Sequence, residues 1–137
     1  MAGNNMQQLE GKVAFITGGG SGVGLGQAKV FGRAGMKIAI ADIREDHLQT
    51  AIDWFAAQGL PLLPLHLDIT DRAAYARAAD AVEAKLGPVQ LLCNTGGVSQ
   101  FGALQDATYG DWDWQLGVNL GGVINGVQTF VPRMVAH

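Results

Sequence analysis

Eight consecutive residues, Thr17-Gly18-Gly19-Gly20-Ser21-Gly22-Val23-Gly24, carry five glycines directly behind the apolar run Lys12 to Thr17 (KVAFIT). Glycines at such a junction let the chain turn tightly and let an anion approach the backbone amides. A helix starting there adds free N–H groups and the positive end of its dipole. The chemistry this suits is the grip of a phosphate or pyrophosphate. The strict G-x-G-x-x-G pattern fits in no register, and the G-x-x-x-x-G-K-[ST] pattern fails because no Gly-Lys-Ser/Thr follows at the required distance. What fits is T-G-x-x-x-G-x-G, which makes Thr17, Gly18, Gly20, Ser21, Gly22, Val23 and Gly24 candidate contacts. The alternative is a glycine-rich turn with no ligand.

Asp42 stands 18 residues after Gly24, at the end of a second apolar run, KIAIADI. A carboxylate there can accept hydrogen bonds from both hydroxyls of an adenosine ribose and repels a 2′-phosphate. No Lys or Arg lies within the glycine loop, so the pattern favours NAD over NADP. Ile43 and Arg44 follow. Arg44 could bind a phosphate if it turned inward, which leaves an NADPH-dependent reductase as a competing reading. Asp42 could also be a solvated loop acid or a cap for the next helix.

Asp68 and Ile69 end a third run. Asp68 could hold the adenine amino group, cap the helix beginning near Asp71, or do both. Asn94-Thr95-Gly96-Gly97 ends a fourth run, where Asn94, Thr95 and Gly96 suit close backbone approach to a cofactor. Cys93 alternates away from Asn94 and reads as a small core residue. Asn119, within Gly117-Val118-Asn119-Leu120, is a polar residue on an apolar helix, a setting that usually satisfies a local backbone group. Tyr75, Tyr109 and the tryptophans read as packing or surface, and the three histidines show no partner spacing.

The elements that must position these residues alternate. Strands are expected over Lys12–Thr17, Lys37–Ile43, Leu62–Leu67 and Val89–Asn94, the third weakened by Pro61 and Pro64. Helices are expected over Val23–Ala34, Glu45–Gln58 and Asp71–Leu86. Glu45–Gln58 should bury Leu48, Ile52 and Phe55, and Gly35, Gly59 and Gly87-Pro88 serve as stops. A long helix from about Asp111 should carry an apolar face of Leu116, Leu120, Val123, Ile124, Val127, Val131 and Met134. Pro132 removes one of its backbone bonds near the end. Strand–helix alternation with short loops implies an α/β fold with a doubly wound parallel sheet, and all the candidate residues fall at the strand ends where such sheets bind ligands.

Composition agrees with one domain. The chain has 137 residues, 48% hydrophobic and 15% charged, which is enough apolar material for a core. A formal net charge of −3 without any Lys/Arg cluster argues against nucleic acid as a partner. A single cysteine makes no internal disulfide, and no Cys/His spacing suits zinc. Apolar stretches are too interrupted to cross a membrane, and the start of the chain lacks a signal peptide's apolar segment. The reading is a flexible tail over 1–9 and one cytoplasmic dinucleotide-binding domain over 10–137.

Together these residues resemble the classical short-chain dehydrogenase/reductase family. Thr17 to Gly24 matches its cofactor loop, Asp42 its NAD-selecting acid, Asp68 its adenine acid, and Asn94-Thr95-Gly96-Gly97 its N-N-A-G segment. There Cys93 and Thr95 replace the usual Asn and Ala. The resemblance implies a Rossmann fold, present as its N-terminal portion only. It implies NAD as cofactor, a homodimer or homotetramer built partly on the long helix, and Asn119 as the helix Asn of a catalytic tetrad. The family's Ser and Tyr-x-x-x-Lys are expected beyond His137, since Tyr75 is followed four residues later by Ala79 and Tyr109 by Asp113. Segments 106–114 and 117–126 resemble the bacterial Cα-dehydrogenases of lignin β-aryl ether breakdown. These imply oxidation of a secondary, benzylic alcohol to a ketone. A dinucleotide-binding regulator without turnover is the reading from another class.

Overall fold

The computed structural model describes residues 8–137. Of the expected tail over 1–9, residues 1–7 lie outside the described residues. Leu9, assigned to that tail, packs against the core.

Four strands, β1 (Val13–Thr17), β2 (Lys37–Asp42), β3 (Leu63–His66) and β4 (Val89–Cys93), form one parallel sheet in the order β3-β2-β1-β4. Between and after them run α1 (Gly22–Arg33), α2 (Glu45–Ala57), α3 (Arg72–Leu86), α4 (Tyr109–Leu116) and α5 (Gly122–Val135). The strands match the expected ones to within a residue or so at each end. Pro64 is tolerated in β3 because that strand lies at the sheet's edge.

Both faces of the sheet are covered, so β1 and β2 are buried almost throughout and read as continuous apolar runs. Strand alternation divides the core in two. Val13, Phe15, Ala39 and Ala41 face Tyr75, Val82 and Phe130 of α3 and α5. Ala14, Ile16, Ile38 and Ile40 face Ala28, Leu48 and Phe55 of α1 and α2. Phe15, Phe55, Tyr75 and Phe130 are fully buried, each contributing about 1.5–3 kcal/mol by area.

Helix ends follow local chemistry. Asp71 caps α3 by accepting the Ala74 N–H at 2.9 Å. α4 starts at Tyr109, two residues ahead of the expected Asp111, because Thr108 and Asp111 close a reciprocal capping box. In α2, Leu48 and Phe55 are buried as expected, but Ala51 is buried where Ile52 is only partly so.

The long helix differs most from expectation. α4 and α5 are joined by a π-helical turn over Gly117–Gly121, and α5 runs through Pro132. Its expected apolar face is turned largely outward, although Val123 and Met134 are part-buried and Met134 packs against the core. Leu116 is 53% exposed, Leu120 56%, Ile124 45%, Val127 41% and Val131 41%. The buried residues are instead Gly122, Asn125, Gly126 and Phe130. The reason is proximity. A Cβ at Gly122 would run into Ile69, and one at Gly126 would lie 2.8 Å from the Tyr75 hydroxyl and against Asn94. α5 sits too close to α3 and β4 for branched side chains to fit between them.

Candidate functional site

The chain winds from β1 to β2 to β3, then returns past β1 to lay down β4 on its other side. Loops leaving β1 and β4 therefore diverge above the sheet, opening the crevice in which such folds bind ligands. Thr17, expected to touch a cofactor, is 1% exposed and staples the two loops instead. Its hydroxyl donates to the Cys93 carbonyl at 3.4 Å and accepts the amides of Thr95 (3.1 Å) and Gly96 (2.9 Å). The Thr95 hydroxyl donates back to the Thr17 carbonyl.

This staple makes backbone meet backbone. Gly18 adopts φ +62°, and a Cβ there would lie 2.9 Å from Cα of Gly96. A Cβ at Gly24 would run into the Gly18 carbonyl. The result is a crevice of about 330 Å³. Gly18, Ser21, Gly22, Val23 and Gly24 line it from the first loop, Asp42, Ile43 and Arg44 from the second, Ile69 from the third, Thr95 and Gly96 from the fourth. Ser21 precedes α1 without a side-chain cap bond, so it leaves the first-turn amides to another acceptor.

Asp42 ends β2 at the crevice with 9% exposure. Its Oδ2 accepts the Gly20 N–H at 3.1 Å and its Oδ1 the Arg44 N–H at 3.0 Å. Each oxygen keeps acceptor capacity for one more donor. Asp42 is therefore neither a solvated loop acid nor a cap of α2, whose first residue is Glu45. Gly20 belongs to the site through this bond rather than by lining it. Arg44 turns to Asp46, with its Nε at 3.0 Å and Nη2 at 2.6 Å from the carboxylate. That bond holds Asp46 below the ordinary carboxylate range and raises Arg44.

Three expected residues stand elsewhere. Asp68 is exposed and absent from the crevice lining. Its Oδ1 takes the Thr70 amide and hydroxyl at 2.9 and 2.7 Å, and the capping of α3 falls to Asp71. Asn94 sits half-buried against the α5 residue Gly126. Asn119 lies in the π-helical turn and clamps Val98, accepting its N–H and donating to its carbonyl, both at 2.8 Å. It thus fixes the loop after β4 at the crevice, which Val98 and Val118 also line. Sequence reasoning missed these two valines and Leu67, whose apolar type carries no signal. It also missed His47, in the first turn of α2, whose Nδ1 lies 3.7 Å from Asp42. Cys93 is buried, and burial raises its thiol pKa, which suits packing rather than nucleophilic work.

The model of the short chain dehydrogenase family matches residues 12–137. The chain belongs to that family. Among curated relatives it is similar to the C alpha-dehydrogenase of Sphingobium sp. strain SYK-6, 54% identical over 132 residues, covering 96% of this chain and 43% of that protein. Among solved structures it is similar to LigO from the same strain in its apo form. That match has 61% identity and a TM-score of 0.91, over 93% of this chain and 48% of that one. A short chain dehydrogenase/reductase from Burkholderia phymatum, solved in complex with NAD, matches with 38% identity and a TM-score of 0.90, over 94% of this chain and 46% of that one. The chain spans about half the length of the relatives it matches. Among the described residues no helix is long and apolar enough to cross a membrane, and no group of His, Cys, Asp and Glu could hold a metal ion.

Proposed function

We propose that this chain holds NAD for the oxidation of a secondary alcohol to a ketone, with a benzylic, lignin-derived aryl ether alcohol as the substrate class. The observation that carries the cofactor is Asp42. It is a nearly buried carboxylate, oriented by two backbone amides and left with free acceptor capacity at the mouth of a glycine cradle. That arrangement suits ribose hydroxyls and opposes a 2′-phosphate. Arg44, the cation that could offset the repulsion, is engaged with Asp46. The glycine fit supports the same reading, because a Cβ at Gly18 would meet the Gly96 backbone and one at Gly24 the Gly18 carbonyl, so only glycines let the loops close into this cradle.

NAD, when bound, supplies the carbon that accepts the hydride. The residues of this chain position it: Gly22, Val23 and Gly24 offer amides to the pyrophosphate, Asp42 orients the adenosine ribose, and Thr95 and Gly96 form the wall towards β4. Asn119 holds Val98 and, through it, that wall. The similarity to a C alpha-dehydrogenase supports the substrate class. The exposed stripe from Leu116 to Val131 supports a homodimer or homotetramer assembled on α4 and α5.

Calorimetric titration with NAD tests the reading. Asp42→Ala is expected to weaken binding by roughly 1.5–3 kcal/mol, the range for hydrogen bonds to a charged group, or about 10- to 150-fold. Unchanged affinity removes Asp42 from the site. Turnover of benzylic secondary alcohols with NAD tests the substrate class.

A further inference from the structure

We propose that His47 sets how strictly the crevice rejects a 2′-phosphate, its protonation offsetting the charge of Asp42 and admitting the phosphorylated dinucleotide. The inference rests on the dinucleotide reading above and adds a specificity-determining residue to it.

His47 lies in the first turn of α2, and its Nδ1 is 3.7 Å from Oδ1 of Asp42. Its side chain is 29% exposed against 8% for Asp42, so the imidazole is the more open of the two groups. Both line the same crevice. The glycine loop is seated on this residue: a Cβ at Gly20 would lie 2.6 Å from Cβ of His47, while the Gly20 amide bonds Asp42. His47, Asp42 and the cofactor loop therefore form one packed corner, and a charge on the imidazole is placed against the acid that reads the 2′ position.

Of the groups around Asp42, His47 is the one within 4 Å of its carboxylate; His66, at the facing register position of β3, has its Nε2 on the Ile43 carbonyl at 2.8 Å. The loop from Gly18 to Gly24 brings no ionisable side chain. The end of β2 brings Asp42. The turn and the start of α2 bring Arg44, Glu45 and Asp46, of which Arg44 and Asp46 are paired with each other. Histidine is the side chain whose charge ordinarily changes near neutral pH. With the imidazole neutral, a phosphate dianion meets the bare carboxylate. With it protonated, the Asp42–His47 pair carries no net charge and the dianion gains a cationic neighbour. Ribose hydroxyls lose less, because Asp42 keeps its acceptor capacity in both states.

The test is the ratio Kd(NADPH)/Kd(NADH), measured by fluorescence titration from roughly pH 5.5 to 8.5, the window in which histidines titrate. The full chain is compared with His47→Asn and His47→Lys. In the wild type the ratio falls roughly tenfold from the alkaline to the acid end, as expected for one unit charge acting on a dianion at contact distances in a wet site. His47→Asn keeps a polar side chain without the charge. The phosphate itself, with a second pKa of about 6, and His66 across from Asp42 then remain, so the fall shrinks without vanishing. His47→Lys fixes the charge and lowers the ratio at every pH. A His47→Asn profile that superimposes on the wild type, or a His47→Lys ratio equal to it at alkaline pH, overturns the proposal. The two variants act in opposite directions, so either decides if the other does not fold. Wild-type chain that binds NADH with an unvarying ratio refutes the role of His47 alone, whereas chain that binds neither nucleotide refutes the dinucleotide site as well.

Discussion

Helices α2 and α5 press on opposite faces of one sheet and do so with opposite residue classes. α2 buries Leu48, Ala51 and Phe55 and leaves Glu45, Asp46 and Asp53 to solvent or the surface. α5 buries Gly122, Asn125, Gly126 and Phe130 and turns Ile124, Val127 and Val131 outward. The difference teaches that helical periodicity locates a stripe without saying which way it faces. On α2 the apolar stripe is the only surface worth burying. On α5 two stripes compete, and the one made of small residues wins because it lets the helix approach Ile69, Tyr75 and Asn94 closely. The losing stripe stays apolar and exposed.

The sharpest way to break this comparison is Gly126→Ala. An added methyl meets the Tyr75 hydroxyl and Asn94, and overpacking of this kind costs about 1–3 kcal/mol. A loss of that size in urea denaturation is expected, although alanine is the better helix former. A neutral or stabilising result would mean that close approach does not fix α5. Next is Tyr75→Phe. The Tyr75 hydroxyl is buried against α5 with no hydrogen-bond partner among the described residues, and burial drives its pKa upward. Removing it should raise stability by about 1 kcal/mol, read from the same denaturation midpoint. A fall would reveal a partner for that hydroxyl at the α3–α5 contact.

Gly26→Ala sharpens the contrast from the other side. Gly26 is exposed on α1 and a Cβ there meets nothing within 4 Å, so the substitution should add about 0.5–1 kcal/mol through helix propensity and a less flexible unfolded chain. Opposite signs at Gly26 and Gly126 are the expected outcome.

The smallest effect concerns the start of α4. The bond donated by the Thr108 amide, 2.8 Å from the Asp111 carboxylate, holds that carboxyl below its ordinary value. A lowered folded pKa means the stabilisation is present above the unfolded carboxylate range and is lost as pH falls through the lowered value. Protection of the Thr108 amide against hydrogen exchange should therefore drop in acid. Asp111→Asn should show a smaller, pH-independent protection.

The glycine loop, Asp42 and the strand order's consequence were legible in the sequence because each is local. Thr17 to Gly24 is one strand end and one turn, and Asp42 is the next strand end. The roles of Thr17, Asp68, Asn94 and His47 were not legible. Thr17 and Asn94 are of the right type in the right place, yet packing between loops and helices turned Thr17 into a staple and set Asn94 against α5. Asp68 lost its candidate cap role to Asp71, three residues ahead of the Ala74 amide it accepts. His47 had no partner at any recognisable spacing, because its partner lies on another element.

Residue order alone determined the parallel α/β winding, the two-sided core and the glycine-lined corner at the strand ends, since apolar runs, turn glycines and a strand-terminal acid act over a few neighbouring positions. Only the folded chain decided which face of α5 is inside, which polar groups hold the crevice and which line it. Those outcomes depend on how closely elements distant in sequence can approach, and backbone separation at Gly18, Gly24, Gly122 and Gly126 is set by what lies across from them.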